Sequence, residues 1–151
     1  MLYLKTEHII IEYFAAEELV KSKWLQYVPS AEYRNILYTF LLMQEKYKIS
    51  KWLADCSDAK VVRPVDQKFT VEEWGPKFLS SLHLQFMAII NPTDMFGRIS
   101  VNFIMSQVNL VEHPVEVCFF DKPEDATLWL AVQTPKSSYG KPEGSPISDV
   151  Q

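Results

Sequence analysis

Three short apolar runs, KWLADC (51–56), LQFMAII (84–90) and VEVCFF (115–120), are separated by stretches long enough to hold a helix. Runs so far apart are not joined by tight turns. They pair as parallel strands when each intervening segment crosses back over the sheet as a helix, and such crossovers are right-handed. The middle run is apolar almost throughout, the pattern of a strand covered on both faces. This alternation commits the chain to an α/β layer fold.

The start of the chain differs. HIIIEYF (8–14) and ELVKSKWLQY (18–27) both read as strands with only AAE between them, so they form a hairpin. Imperfect alternation in the second suits a strand near a sheet edge. A first helix is expected from about Ser30, its cap, to Tyr47. Tyr33, Ile36, Leu37, Phe40, Leu41 and Tyr47 share one face of it, with Tyr38, Leu42 and Met43 partly off that face. A second helix runs from about Val65 to Leu82 with Phe69, Trp74, Phe78 and Leu82 inward. Pro76 should kink it, because it cannot donate to the Glu72 carbonyl. A third spans about Asp94 to Asn109, and a fourth lies in 121–132 with Pro123 near its first position. The expected fold is α/β, a mixed, mostly parallel sheet of about five strands with an N-terminal hairpin and four helices, all within residues 1–133. Residues 134–151 hold three prolines, two of the four glycines and four serines, and read as an extended tail.

Composition narrows the function. The net charge is −4 and the only arginines are Arg34, Arg63 and Arg98, which leaves no concentrated cationic face for nucleic acid. No apolar run approaches the roughly 20 residues of a membrane span. The N-terminus, with Glu7, His8 and Glu12, lacks the basic region of a signal peptide. Cys56 and Cys118 read as two buried free thiols, which points to the cytoplasm. Only Gly75 and Gly97 fall in the folded part, too few for a glycine-rich phosphate loop, so no nucleotide cofactor is expected. His83 and His113 have no evident path to Cys56, and the histidines are too far apart for a metal motif, so no metal is expected either.

The element order, together with Trp24, EYR (32–34), KWLAD (51–55), DQKFTVEEWGPKF (66–78), DMFGRISV (94–101) and FFDKPEDATLWL (119–130), resembles the SpoIIAA-like family, relatives of STAS and SEC14-type domains. The resemblance implies a similar fold and a protein-interaction surface. In well-known members of that family a serine at the start of the helix after the KWLAD-type strand takes up phosphate. Here that region reads VVRPVDQ (61–67), with Asp66 at the helix start, so the phosphoswitch does not carry over.

Two constellations remain. At the carboxyl ends of parallel strands, Asp55, Ser57, Thr93, Asp94 and Lys122 could gather as a polar edge site. Asp55, Thr93 and Lys122-Pro123 mimic a phosphate-receiver domain, but the paired acids that hold its magnesium have no counterpart in WLQYVPS (24–30). The alternative is that these residues cap helices and satisfy loop amides. The second constellation is apolar excess on the 94–109 helix. Met95, Ile99, Val101, Met105 and Val108, with Tyr38 and Leu42 of the first helix, form a candidate interface, most simply of a homodimer. The expectation is therefore a non-catalytic interaction or regulatory domain. The alternatives are a carrier of a small apolar ligand or lipid, and a receiver-like phosphoacceptor at Asp55.

Overall fold

The structure, a computed structural model, describes residues 1–80, 83–108 and 114–136. The elements in chain order are β1 (Leu2–Lys5), β2 (Ile9–Phe14), β3 (Leu19–Trp24), α1 (Ser30–Lys46), β4 (Lys51–Asp55), α2 (Pro64–Phe69), a π-helical turn (Thr70–Trp74), α3 (Gly75–Leu79), β5 (Phe86–Ile90), α4 (Met95–Gln107), β6 (Glu116–Phe120) and α5 (Pro123–Ala131). Among the described residues they build one six-stranded sheet in the order β1-β2-β3-β4-β5-β6. The first two pairings are antiparallel and the next three parallel. The expectation of about five strands is corrected to six. The added strand, β1, is a four-residue edge whose register shifts between Leu2 and Leu4. LYLK is too short and too exposed to carry a legible period.

The strand order runs in one direction only. Right-handed crossovers that always step the same way lay their helices on the same face. Accordingly α1, α2, α3 and α4 pack on the face that carries Ile9, Ile11, Tyr13, Val20, Trp52, Ala54 and Ile89. Among the described residues the opposite face, with Leu53, Ala88 and Ile90, meets only α5, through Ala126 and Leu130. The period-two split of each strand decides which side chain belongs to which layer.

Local expectations are met with some corrections. Ser30 does not cap α1: Pro29 holds the cap position, and the Ser30 hydroxyl donates to the Asp66 carboxylate at 2.6 Å. Met43 belongs to the inner stripe and is fully buried, one turn beyond Phe40, whereas Tyr38 and Leu42 face outward. Ahead of Pro76 the second helix changes form. The chain widens into the π turn, where the Gly75 amide reaches the Thr70 carbonyl five residues back. The helix thus passes the position at which Pro76 offers no donor. A Cβ at Gly75 would stand 2.9 Å from the same carbonyl oxygen, so the widened turn needs glycine there. At the start of α4, Asp94 accepts the Gly97 amide at 2.8 Å as a true cap. Gly97 lets the helix approach the 56–59 loop, since a Cβ would lie 2.5 Å from the Ala59 carbonyl oxygen. Both thiols are free, but only Cys56 is buried; Cys118, on edge strand β6, is half-buried.

Lys136 at the head of the tail is held by Gln85, which accepts its amide at 2.7 Å and donates to its carbonyl at 2.8 Å. The rest of the expected tail, 137–151, lies outside the described residues, as do Leu82, Asn109 and His113.

Candidate ligand-binding cavity

The polar edge residues are placed first by their local chemistry. The Asp55 carboxylate accepts both the Ser57 amide (2.9 Å) and the Ser57 hydroxyl (2.6 Å). It also faces the Lys23 ammonium at 3.9 Å, which Asp58 shares at 3.6 Å. Thr93 donates its amide and its hydroxyl to the Ser57 carbonyl. Asp55, Ser57 and Thr93 are therefore brought together, with Ser57 as the link. Asp94 is engaged by Gly97, and Lys122 is the N-cap of α5 without a side-chain bond to it. The one-way strand order also lacks the reversal at which open α/β sheets form a ligand crevice. Among the described residues no three metal-ligating side chains converge.

The space that could take a molecule lies elsewhere. Between the sheet and its helical layer is a cavity of about 150 Å³. Its floor is Trp24, Trp52, Ala54, Cys56, Met87, Ile89 and Val117 from the strands; Tyr33 and Leu37 of α1 and Val101, Ile104 and Met105 of α4 form walls. Thr70 and Trp74 of the π turn and Gly75 and Phe78 of α3 add to it, so the irregular helix is part of the lining. The exposed Gln26, Lys60 and Val61 line it where it approaches the surface.

Why a cavity persists here follows from the side chains. Trp52 packs on Phe40 (5.0 Å between centroids), on Phe78 (5.1 Å) and edge-on to Trp74 (6.3 Å), and Trp74 stacks on Phe78 at 4.7 Å. Large rigid rings with few rotamers brace one another at their rims and cannot flow into the space between them. The ring donors are spent inside the wall: Trp52 Nε1 donates to Ser22 Oγ at 2.8 Å, and Trp74 Nε1 to the Leu37 carbonyl at 2.7 Å. Burial pushes the Tyr33 hydroxyl up to about 12; the Thr70 hydrogen bond opposes this, and the nearby Asp66 charge adds to it. Burial, with Asp55 a lesser cause, likewise pushes the Cys56 thiol up to about 12. Both shifts mark the cavity as a place that disfavours charge.

Of the candidate interface residues, Val101, Met105 and Val108 line the cavity. Met95 and Ile99 point outward, 69% and 58% exposed, and are joined by Phe96 and Phe103. Tyr38 and Leu42 are exposed on α1. Sequence reasoning grouped these α4 residues in one candidate interface; the helix divides them between an inner and an outer side. Asp66, noted in the sequence as the residue at the helix start, is a buried carboxylate held by Ser30 Oγ and by Arg34 Nε at 3.3 Å. Its role is to tie the starts of α1 and α2 together. The Tyr33–Thr70 pair was not singled out by sequence reasoning. The only available signal was an aromatic at a buried helical position.

No protein-family model matches the sequence, and no curated protein matches it. The fold does match a solved structure, described as an uncharacterized protein of the DUF3478 family with a SpoIIAA-like fold from Shewanella loihica PV-4. The TM-score is 0.55 at 17% identity, over 85% of this chain and 98% of that one. The mostly parallel sheet, the leading hairpin and the helical layer on one side are thus those of a SpoIIAA-like fold.

Proposed function

We propose that the protein binds a small apolar molecule between the sheet and its α1–α4 layer. The observation that carries this reading is the cavity of about 150 Å³ with an almost wholly aromatic and aliphatic wall. An engineered cavity of about that size in another protein, lined by aliphatic and aromatic side chains, stays dry and takes up benzene. Among the described residues no nucleophile and base are assembled in the interior: burial pushes the Cys56 thiol up to about 12 and keeps it protonated, which favours binding over catalysis. The test is toluene as a probe in thermal unfolding. At ten times its Kd the melting temperature should rise by about 2–5 °C, and Ala54→Leu, which fills the floor, should remove the rise. No rise in the unmodified protein ends this reading. Native mass spectrometry of the freshly purified protein should in addition show an apolar adduct.

A second reading is self-association, supported by the outward side of α4. Met95, Phe96 and Ile99 are more than half exposed there and Phe103 nearly so, and adjacent apolar side chains on one helix favour a partner surface. Sedimentation of Ile99→Asp should then show a smaller particle than the unmodified protein. Equal masses would remove this helix from any interface.

A further inference from the structure

The polar side chains that line the cavity divide into those already engaged and those that are not. Among the buried ones, Trp52 and Trp74 donate their N–H groups within the wall, and the Tyr33 and Thr70 hydroxyls bond to each other at 2.8 Å. At the surface end, Gln26 Nε2 serves Glu7, its carbonyl at 3.0 Å and its carboxylate at 3.5 Å. Cys56 adds a thiol, a weak donor. Two stronger donors remain. Trp24 is half-buried, its ring 5.4 Å from that of Tyr33, and its N–H has no acceptor among the described residues. Lys60 is exposed, and its ammonium has no ion pair among the described residues. Both donors belong to one end of the cavity. Trp24 closes β3, and Lys60 lies in the segment between β4 and α2; the two strands pair in parallel with Lys23 opposite Asp55, so they end side by side. The acids of that segment and of the following helix start are matched already, Asp55 and Asp58 by Lys23 and Asp66 by Arg34.

From this we infer that the ligand is an amphiphilic monocarboxylate, whose apolar body enters the cavity and whose carboxylate stays at the mouth with the Lys60 ammonium and the Trp24 N–H. This rests on the cavity being a ligand site, as proposed above, and names the class of molecule it takes. An ionised carboxylate only accepts hydrogen bonds and has two oxygens, one for each donor. One ammonium balances its single charge, which the near-double charge of a phosphate monoester would exceed. The head does not follow the body inward, because an ionised group among apolar side chains loses its hydration without return. The flexible four-carbon stem of Lys60 lets the ammonium meet it at the surface instead. A cavity of about 150 Å³ is of the size that takes benzene, so the buried part of the ligand has about six carbons. The apolar wall supplies the bulk of the affinity, and the two donors at the mouth supply selection, as is usual for pockets of this kind.

The experiment is calorimetric titration of the whole chain near pH 7 with toluene, hexan-1-ol, hexanoate and acetate, repeated on Lys60→Gln and Trp24→Phe. Toluene should bind all three proteins within about twofold, since it uses only the apolar wall. Hexanoate should bind the unmodified protein more tightly than hexan-1-ol does, and should weaken about fivefold in Lys60→Gln while hexan-1-ol changes by less than about twofold. Trp24→Phe should weaken hexanoate by a similar factor, the share of one hydrogen bond. Lys60 is exposed, so its variant decides the matter if Trp24→Phe does not fold. Raising the salt from about 20 to about 500 mM should weaken hexanoate and leave toluene unchanged. Acetate, which has the head without the body, should not bind measurably. Hexanoate that fails to bind, that is indifferent to Lys60→Gln and to salt, or that is matched by acetate overturns this inference, and the cavity reading stands as long as toluene binds. Failure of toluene on the unmodified protein overturns both.

Discussion

The two faces of the sheet solve the same problem with different side chains. One is covered by four helical segments and carries Trp52, Trp74, Phe78, Phe40 and Tyr33, yet encloses a cavity of about 150 Å³. Among the described residues the other is covered by α5 alone, and its centre is Leu53, Ala88, Ile90, Ala126 and Leu130. Ala88 and Ala126 are wholly buried, so strand and helix backbones approach closely there. More cover did not bring tighter filling. Small residues let elements close on one another, whereas braced rings hold them apart. The aromatic face is the one built to keep space, and the α5 face the one built to exclude it.

Substitutions can break or sharpen that contrast. Phe78→Ala removes a ring that is 1% exposed and braces both Trp52 and Trp74, and should cost about 3–5 kcal/mol in urea unfolding. A cost below 1 kcal/mol would mean that the rings are not mutually supporting. Ala88→Leu forces bulk between β5 and α5 and should cost about 1–3 kcal/mol. Alkaline titration separates the faces next. The folded Cys56 thiol titrates near 12 against an ordinary value of 9.0. Its contribution is complete below about pH 9 and is lost as pH rises towards 12, at a slope of up to about 1.4 kcal/mol per pH unit. Cys56→Ala should flatten the decline in stability over that window, and Cys118→Ala should change it less, as that thiol is only half-buried. The smallest effect is the most telling. Ala54→Val adds two methyl groups at the cavity floor, so it should shift stability by less than about 1 kcal/mol in either direction while weakening toluene binding. A loss as large as that of Ala88→Leu would show that the aromatic face is as full as the other.

A good part of this was legible in the residues. Strands β2 to β6 announced themselves through β-branched and aromatic runs between turn signals. The helices did so through period, through Asp94 at a cap, and through Pro123 at a first position. β1 was missed because four half-exposed residues at an edge carry no period. Ser30 was misassigned as a cap because a hydroxyl before a helix is the usual signal, and nothing local shows that a carboxylate 36 residues away will claim it. The polar edge residues could be named from sequence, but not their engagement with Ser57 and Gly97, which depends on how the loops fold over the strand ends.

The sequence by itself determined the α/β layering, the parallel core behind a hairpin, and the shortage of the glycine loops and cationic surface that other functions demand. Those are properties of period and composition, carried by each segment alone. Tertiary structure alone decided which α4 residues look inward, that Pro76 is passed by a π turn, and that large rings leave a cavity between the sheet and its helices. A cavity is what remains when shapes from several separate elements fail to fill a volume, and a hydroxyl's direction is set by the partner that claims it. Neither is a property of any one stretch of chain.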